Sequence, residues 1–107
     1  MAKYLFEAKY TAEGLKGVKR DTAVRRRAMV SNVAEALGGK LDLMLFGFGE
    51  WDVLGVLDLP DAVSAASATV AASLSGLIHS KMTALLTAEE MDQAFDKKLP
   101  FTSPGEA

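Results

Sequence analysis

Two apolar runs, Leu41 to Phe48 and Val53 to Leu59, meet at Gly47-Phe48-Gly49-Glu50-Trp51-Asp52-Val53. A short glycine-containing link between apolar runs predicts a β-hairpin, here at the middle of the chain. Ahead of it, Ala2 to Tyr10 alternates with period two: Tyr4, Phe6, Ala8 and Tyr10 share one face, and Lys3, Leu5, Glu7 and Lys9 the other. That period, with aromatics suited to a pleated surface, predicts a first strand. Leu15, Val18, Thr22, Met29, Val33 and Leu37 then recur at roughly helical spacing behind Thr11, whose hydroxyl can cap a helix. Glycine inside a helix costs about 1 kcal/mol relative to Ala. Gly14 and Gly17 therefore predict a short first piece, a break near Arg20, and a longer helix from Thr22 to Leu37 capped by Asp21. Gly38-Gly39 ends it, because glycine takes the left-handed conformation at little cost.

The second and third strands are predicted over Lys40 to Phe48 and Trp51 to Leu59. Both are apolar on both sides: Leu41, Leu43 and Leu45 against Met44, Phe46 and Phe48, then Val53 and Leu57 against Leu54 and Val56. An antiparallel sheet covered on one face should be polar on the other. One layer of two helices covers one face, so a second cover is expected, and two copies paired through their sheets would supply it. Pro60-Asp61 opens a helix to about Leu74, made mostly of Ala, Ser and Val that can lie close to the sheet, and Ser75-Gly76 closes it. Leu77 to Leu86 is the fourth strand, with Ile78, Met82, Ala84 and Leu86 on the apolar side and His79, Lys81 and Thr83 on the other. Thr87-Ala88-Glu89-Glu90 has the form of a capping box for a last helix, Ala88 to about Lys98. The expected fold class is α+β, a ferredoxin-like βαββαβ with an antiparallel four-stranded sheet, residues 1–99 forming one domain and 100–107 a C-terminal tail.

Composition narrows the function classes. The chain has 107 residues, a common size for one domain. Half of them are hydrophobic, which for so small a chain favours self-association. Net charge is −2, so no whole-chain attraction to nucleic acid or anionic lipid is expected. Cysteine is absent, which excludes disulfides and thiolate chemistry and makes a reducing cytoplasm the expected compartment. Lys3, Glu7 and Lys9 break any apolar leader near the N-terminus. The uncharged run from Ala62 to Ile78 is too short, and too rich in Ser and Ala, for a membrane span.

Several segments, in order, carry a resemblance: Tyr10-Thr11-Ala12-Glu13-Gly14-Leu15, Leu37-Gly38-Gly39-Lys40-Leu41, Phe48-Gly49-Glu50-Trp51-Asp52-Val53, Leu59-Pro60-Asp61, and Leu85-Leu86-Thr87-Ala88-Glu89-Glu90. From Lys3 to about Met91 the chain resembles the GYD-domain family. The name-giving Gly-Tyr-Asp element matches Gly49, Trp51 and Asp52, with Trp in place of Tyr and Glu50 between; the swap keeps a flat amphipathic ring and removes a phenol. That family is similar to dimeric α+β-barrel proteins with ferredoxin-like subunits. The resemblance implies a fold and no mechanism.

Four residues are candidates for chemistry. Asp52 could act as a base or acceptor at a pocket mouth, or accept turn amides as Asp commonly does. Trp51 suits a ligand wall or a subunit contact. His79, the only histidine, could handle protons or bind haem as in some distant barrel relatives; as a solvated strand residue it does neither. Alone it cannot build a metal site, which normally takes three or four protein ligands, so neither metal nor cofactor is expected. Arg26 falls where the apolar stripe between Thr22 and Met29 passes, and could hold a carboxylate or an anionic ligand through its bidentate fork. Otherwise the basic run around Arg25-Arg26-Arg27 is a salt-bridged surface helix, with Asp21 paired to Arg25.

The expected function is a cytoplasmic homodimer binding a small organic molecule, anionic or aromatic, at Arg26, Trp51 and Asp52, with cofactor-free catalysis through Asp52 or His79 left open. The alternative is a non-catalytic assembly or regulatory module whose interior is closed by Phe46, Phe48 and Met82.

Overall fold

Local signals set most of the element boundaries. In a computed structural model, which describes residues 1–106, the chain forms β1 (Ala2–Tyr10), α1 (Ala12–Asp21), α2 (Ala23–Ala36), β2 (Lys40–Phe46), β3 (Val53–Leu59), α3 (Ala62–Leu74), β4 (Ile78–Leu85) and α4 (Ala88–Phe95). Thr11, Asp61 and Thr87 accept hydrogen bonds from the amides of Gly14, Ser64 and Glu90, and the Glu90 carboxylate returns to the Thr87 amide. After α2, Gly38 takes φ 84°, its amide reaches the Glu35 carbonyl, and the Gly39 amide reaches that of Ala34. Those paired bonds satisfy the carbonyls that a helix end leaves free.

The break between α1 and α2 falls at Thr22, and Thr22, not Asp21, caps α2. Its amide closes α1 on Val18, and its hydroxyl accepts from Arg25. One residue does both jobs by adopting φ 89°, an uncommon conformation for a β-branched side chain. The break also takes Asp21 and Arg25 off a common helix. The ion pair on this region joins Lys16 to Glu13 instead.

The four strands form one antiparallel sheet in the order β2-β3-β1-β4. This is the α+β, ferredoxin-like arrangement, with the two chain crossings made by α1–α2 and by α3. β1 sets the inside and outside of the sheet as its alternation predicts: Tyr4 and Ala8 are buried under the helices, and Lys3 and Lys9 are exposed. β2 departs from simple alternation. A register shift between Leu41 and Leu43 lets Leu41 pair with Leu57 and Met44 with Gly55 on the helix face, while Leu43 pairs with Val56 and Leu45 with Leu54 outside. Leu41 therefore leaves the face of Leu43 and Leu45. The bulge adds one residue to β2 and swaps the side of everything before it. Both hairpin strands stop short of their predicted inner ends, and the link 47–52 is closed by the Gly47 amide on the Asp52 carbonyl.

The core is small. Tyr4, Ala34, Leu57, Leu59 and Ala65 form one buried cluster, and Ala8, Met44 and Val53 a second. Gly55 on β3 is required beneath β1: a Cβ there would run into the Phe6 ring and the Leu43 carbonyl. α4 stands apart from this core, with every residue exposed, including Met91 and Phe95 one turn apart on the same side. It ends at Phe95, short of Lys98. The radius of gyration is 17.1 Å, against about 13 Å for a chain of this length folded into one ball. The C-terminal segment thus projects as an arm. The last residue of the predicted tail, 107, lies outside the described residues.

Candidate functional site

α2 packs mainly on β2, and α3 mainly on β4. Between them, over the middle of the sheet, lies a cavity of about 270 Å³. Its origin is in the sequence of α3. Where α2 offers Met29, Val30 and Val33, with Leu37 capping its end, α3 offers Ala68, Ala71 and Ala72, which are too small to fill the space opposite. The floor is Phe6 and Ala8 of β1, Leu57 of β3 and Met82 of β4.

Few polar groups enter this apolar chamber. Arg26 enters from α2, with its guanidinium carbon 5.9 Å from the centre of the Tyr10 ring, within cation–π range. Its Nε is buried and, among the described residues, has no hydrogen-bond partner. Ser80 enters from β4, placed on the helix face by pairing with Ala8 of β1. Its Oγ is likewise buried without a partner. Thr69 also lines the cavity, but its hydroxyl is occupied by the Ala65 carbonyl at 3.0 Å. No Asp or Glu is among the lining residues. A buried donor left unpaired costs about 1–3 kcal/mol, more when charged, so two such groups in one cavity call for an explanation.

Of the four candidates, Arg26 lies in this cavity and Trp51, Asp52 and His79 do not. Trp51 is half-buried in the hairpin link. Asp52 fastens the hairpin to the end of β1 rather than accepting turn amides. Its Oδ2 accepts from the Tyr10 amide at 2.9 Å, its Oδ1 from Lys9 Nζ at 3.2 Å, and its own amide donates to the Ala8 carbonyl. The Tyr10 amide, and secondly Lys9, hold its carboxyl below the usual Asp range. His79 pairs with Lys9 on the opposite side of the sheet from the cavity and is exposed. Asp52 and His79 are thus kept from the polar atoms of Arg26 and Ser80. Phe46 and Phe48 are exposed, and of the proposed interior fillers only Met82 reaches the cavity. No group of three or more potential metal-ligating side chains comes together among the described residues.

Ser80 escaped sequence reasoning, although a faint signal existed. Among Ile78, Ser80, Met82 and Ala84, the alternate positions facing the helices, it is the one polar residue.

The outer face of the sheet has a different character. Lys3 bridges Asp42 at 2.5 Å and Asp58 at 2.9 Å, with Lys40 beside both carboxylates. The bond to Lys3 holds Asp42 below its usual range, and Asp42 in turn raises Lys3. Next to this charged corner, Leu43, Leu45 and Leu54 lie open, Leu45 at 60% exposure. No helix among the described residues is long and apolar enough to cross a membrane.

No curated protein and no solved structure matches the chain. The GYD domain matches residues 4–95, from the first strand through the end of α4. With the five segments that resemble it in order and the α+β sheet they build, the chain belongs to the GYD-domain family.

Proposed function

We propose that this protein is a cytoplasmic homodimer that binds a small organic molecule, anionic or aromatic, in the cavity beneath α2 and α3. The observation that carries the reading is the pair of unpartnered buried atoms, Arg26 Nε and Ser80 Oγ, inside a mostly apolar chamber. A few convergent polar groups in an apolar hollow are what a small-ligand site requires. We read the chamber as a binding site and not a centre for acid–base catalysis. The residues able to exchange protons near neutral pH, or to act as carboxylate bases, lie outside it.

Support for self-association comes from two apolar surfaces that one copy does not cover. Leu43, Leu45 and Leu54 are open on the outer sheet face, and Met91, Phe95, Leu99 and Phe101 are open along the arm. Burying apolar surface stabilises by roughly 25 cal/mol per Å², so surfaces of this kind favour a partner, and a second copy brings both. A cysteine-free chain suits a reducing compartment.

Native mass spectrometry of the purified protein tests both parts at once. The expected spectrum has twice the chain mass plus a small adduct that is lost under denaturing conditions. A single-chain mass across the micromolar range would remove the dimer. A spectrum with no adduct, joined by a thermal-shift screen of small organic acids and aromatics with no hit, would remove the ligand.

A further inference from the structure

The polar groups of the cavity are specific enough to name the ligand's chemistry. We infer that the cavity takes an organic monocarboxylate with a compact apolar body, its carboxylate held by Arg26 and Ser80; this rests on the small-ligand reading given above.

Charge selects the headgroup. Arg26 stays protonated in any protein setting, so its buried Nε–H belongs to a cation. None of the ion pairs among the described residues includes Arg26, and no acidic side chain lines the chamber. The missing partner is therefore an anion brought by the ligand. Arg26 also lies one turn from the N-terminal end of α2, where partial positive charge reinforces the preference.

Geometry selects carboxylate over phosphate. A planar carboxylate has two oxygens, which a guanidinium edge and a hydroxyl can share. A phosphate dianion has more oxygens and twice the charge. Two cations are among the lining residues, Arg26 of α2 and Lys81 of β4; Lys81 pairs with Glu7 at the outward parity of β4, opposite to Ser80 and Met82, which leaves Arg26 as the cation inside.

Size and polarity select the body. At about 30 Å³ per water, 270 Å³ holds roughly nine waters, the room of one ring or a short chain. Val30, Val33, Leu57 and Met82 offer that body no hydrogen bonds. The Tyr10 ring holds the guanidinium from one side and limits its reorientation, which leaves less freedom to lose on binding.

The test is titration calorimetry on the full chain with four probes: benzoate, hexanoate, phenyl phosphate and benzyl alcohol as the neutral counterpart of benzoate. The expected result is binding of benzoate, hexanoate or both at least about tenfold tighter than benzyl alcohol, the share expected of one charge-assisted bond. Arg26→Gln should lower carboxylate affinity by about ten- to a hundredfold and Ser80→Ala by about threefold to tenfold, each leaving benzyl alcohol within twofold. Benzyl alcohol binding as well as benzoate would overturn the carboxylate and leave the small-ligand reading standing. Phenyl phosphate binding tighter than both carboxylates would do the same. Binding of no probe would overturn both. Because the four probes are compared on the unaltered protein, the outcome does not depend on either variant folding.

Discussion

On the outer face of the sheet, Lys3, Lys9 and Lys40 hold Asp42, Asp52 and Asp58, while Leu43, Leu45 and Leu54 stand in water. On the helix face most apolar side chains are covered, Phe46 at the end of β2 being an exception, and the buried atoms without partners are polar, Arg26 Nε and Ser80 Oγ. The same four strands make both faces, because alternation sends neighbouring residues to opposite sides. An uncovered apolar face gains most from more apolar surface. An apolar chamber holding unpaired donors gains most from a small polar group. The comparison thus separates a surface for a second copy from a site for a ligand, and each can be disturbed without the other.

The largest effect is expected from Leu45→Asp. Leu45 is open in one copy and would lie between two sheets in a pair. An unpaired carboxylate there should weaken the dimer by about 3 kcal/mol or more, on the order of a hundredfold in Kd. Sedimentation should find the variant as single chains at concentrations where the parent is paired, with helix and strand content unchanged. A variant that pairs normally would take the outer face out of the assembly.

On the other face, Ala72→Leu should act in the opposite sense. The added side chain enters the gap that α3's alanines leave, and filling a cavity commonly adds about 0.5–2 kcal/mol. Thermal unfolding should move up by several degrees and carboxylate binding should be lost, with pairing retained. A more stable variant that still binds would place the ligand elsewhere.

How far the faces could be read from the chain depends on how local each signal is. The caps at Thr11, Asp61 and Thr87 and the glycine ending at Gly38-Gly39 involve residues within a few positions of one another, and the chain spells them out. The bulge in β2 was hidden. Leu41, Leu43, Met44 and Leu45 are apolar at both parities, and the one polar clue, Asp42, shares Met44's parity and so conflicts with simple alternation without saying where the bulge falls. Thr22 was hidden as a cap because its role needs a backbone angle that β-branched residues seldom adopt, and Asp21 beside it is the more usual choice. Arg26 was legible as a polar interruption of an apolar stripe. Ser80 and the cavity were not, because the chamber depends on how far apart α2 and α3 sit, and spacing along one helix does not encode the gap between two.

A smaller effect belongs to the junction between hairpin and β1. Asp52→Ala should cost about 1–2 kcal/mol near neutral pH, since the Tyr10 amide loses its acceptor and Lys9 its partner. The folded carboxyl titrates below its unfolded value of about 3.9, so its contribution is complete above that value. The contribution is lost as pH falls through the lower, folded value. The stability gap between parent and variant should therefore be constant from pH 7 down to about 5 and close below about pH 4. A gap that widened in acid would mean that Asp52 is not held as an anion by Tyr10 and Lys9.

The smallest effect is the sharpest check on the separation of the faces. His79 stands beside Lys9 on the outer side, exposed, with the thickness of the sheet between it and Ser80's side of β4. Exposed substitutions of this kind usually stay within about 0.5 kcal/mol. His79→Ala should accordingly leave unfolding temperature and benzoate affinity almost unchanged, and the pH dependence of binding between 5 and 8 should match the parent. His79 and Ser80 are sequence neighbours, so the prediction turns on the pleat alone. If removing the imidazole altered carboxylate binding or its pH profile, β4 would have to present both residues to the ligand, and the division of labour between the two faces would fail at that strand.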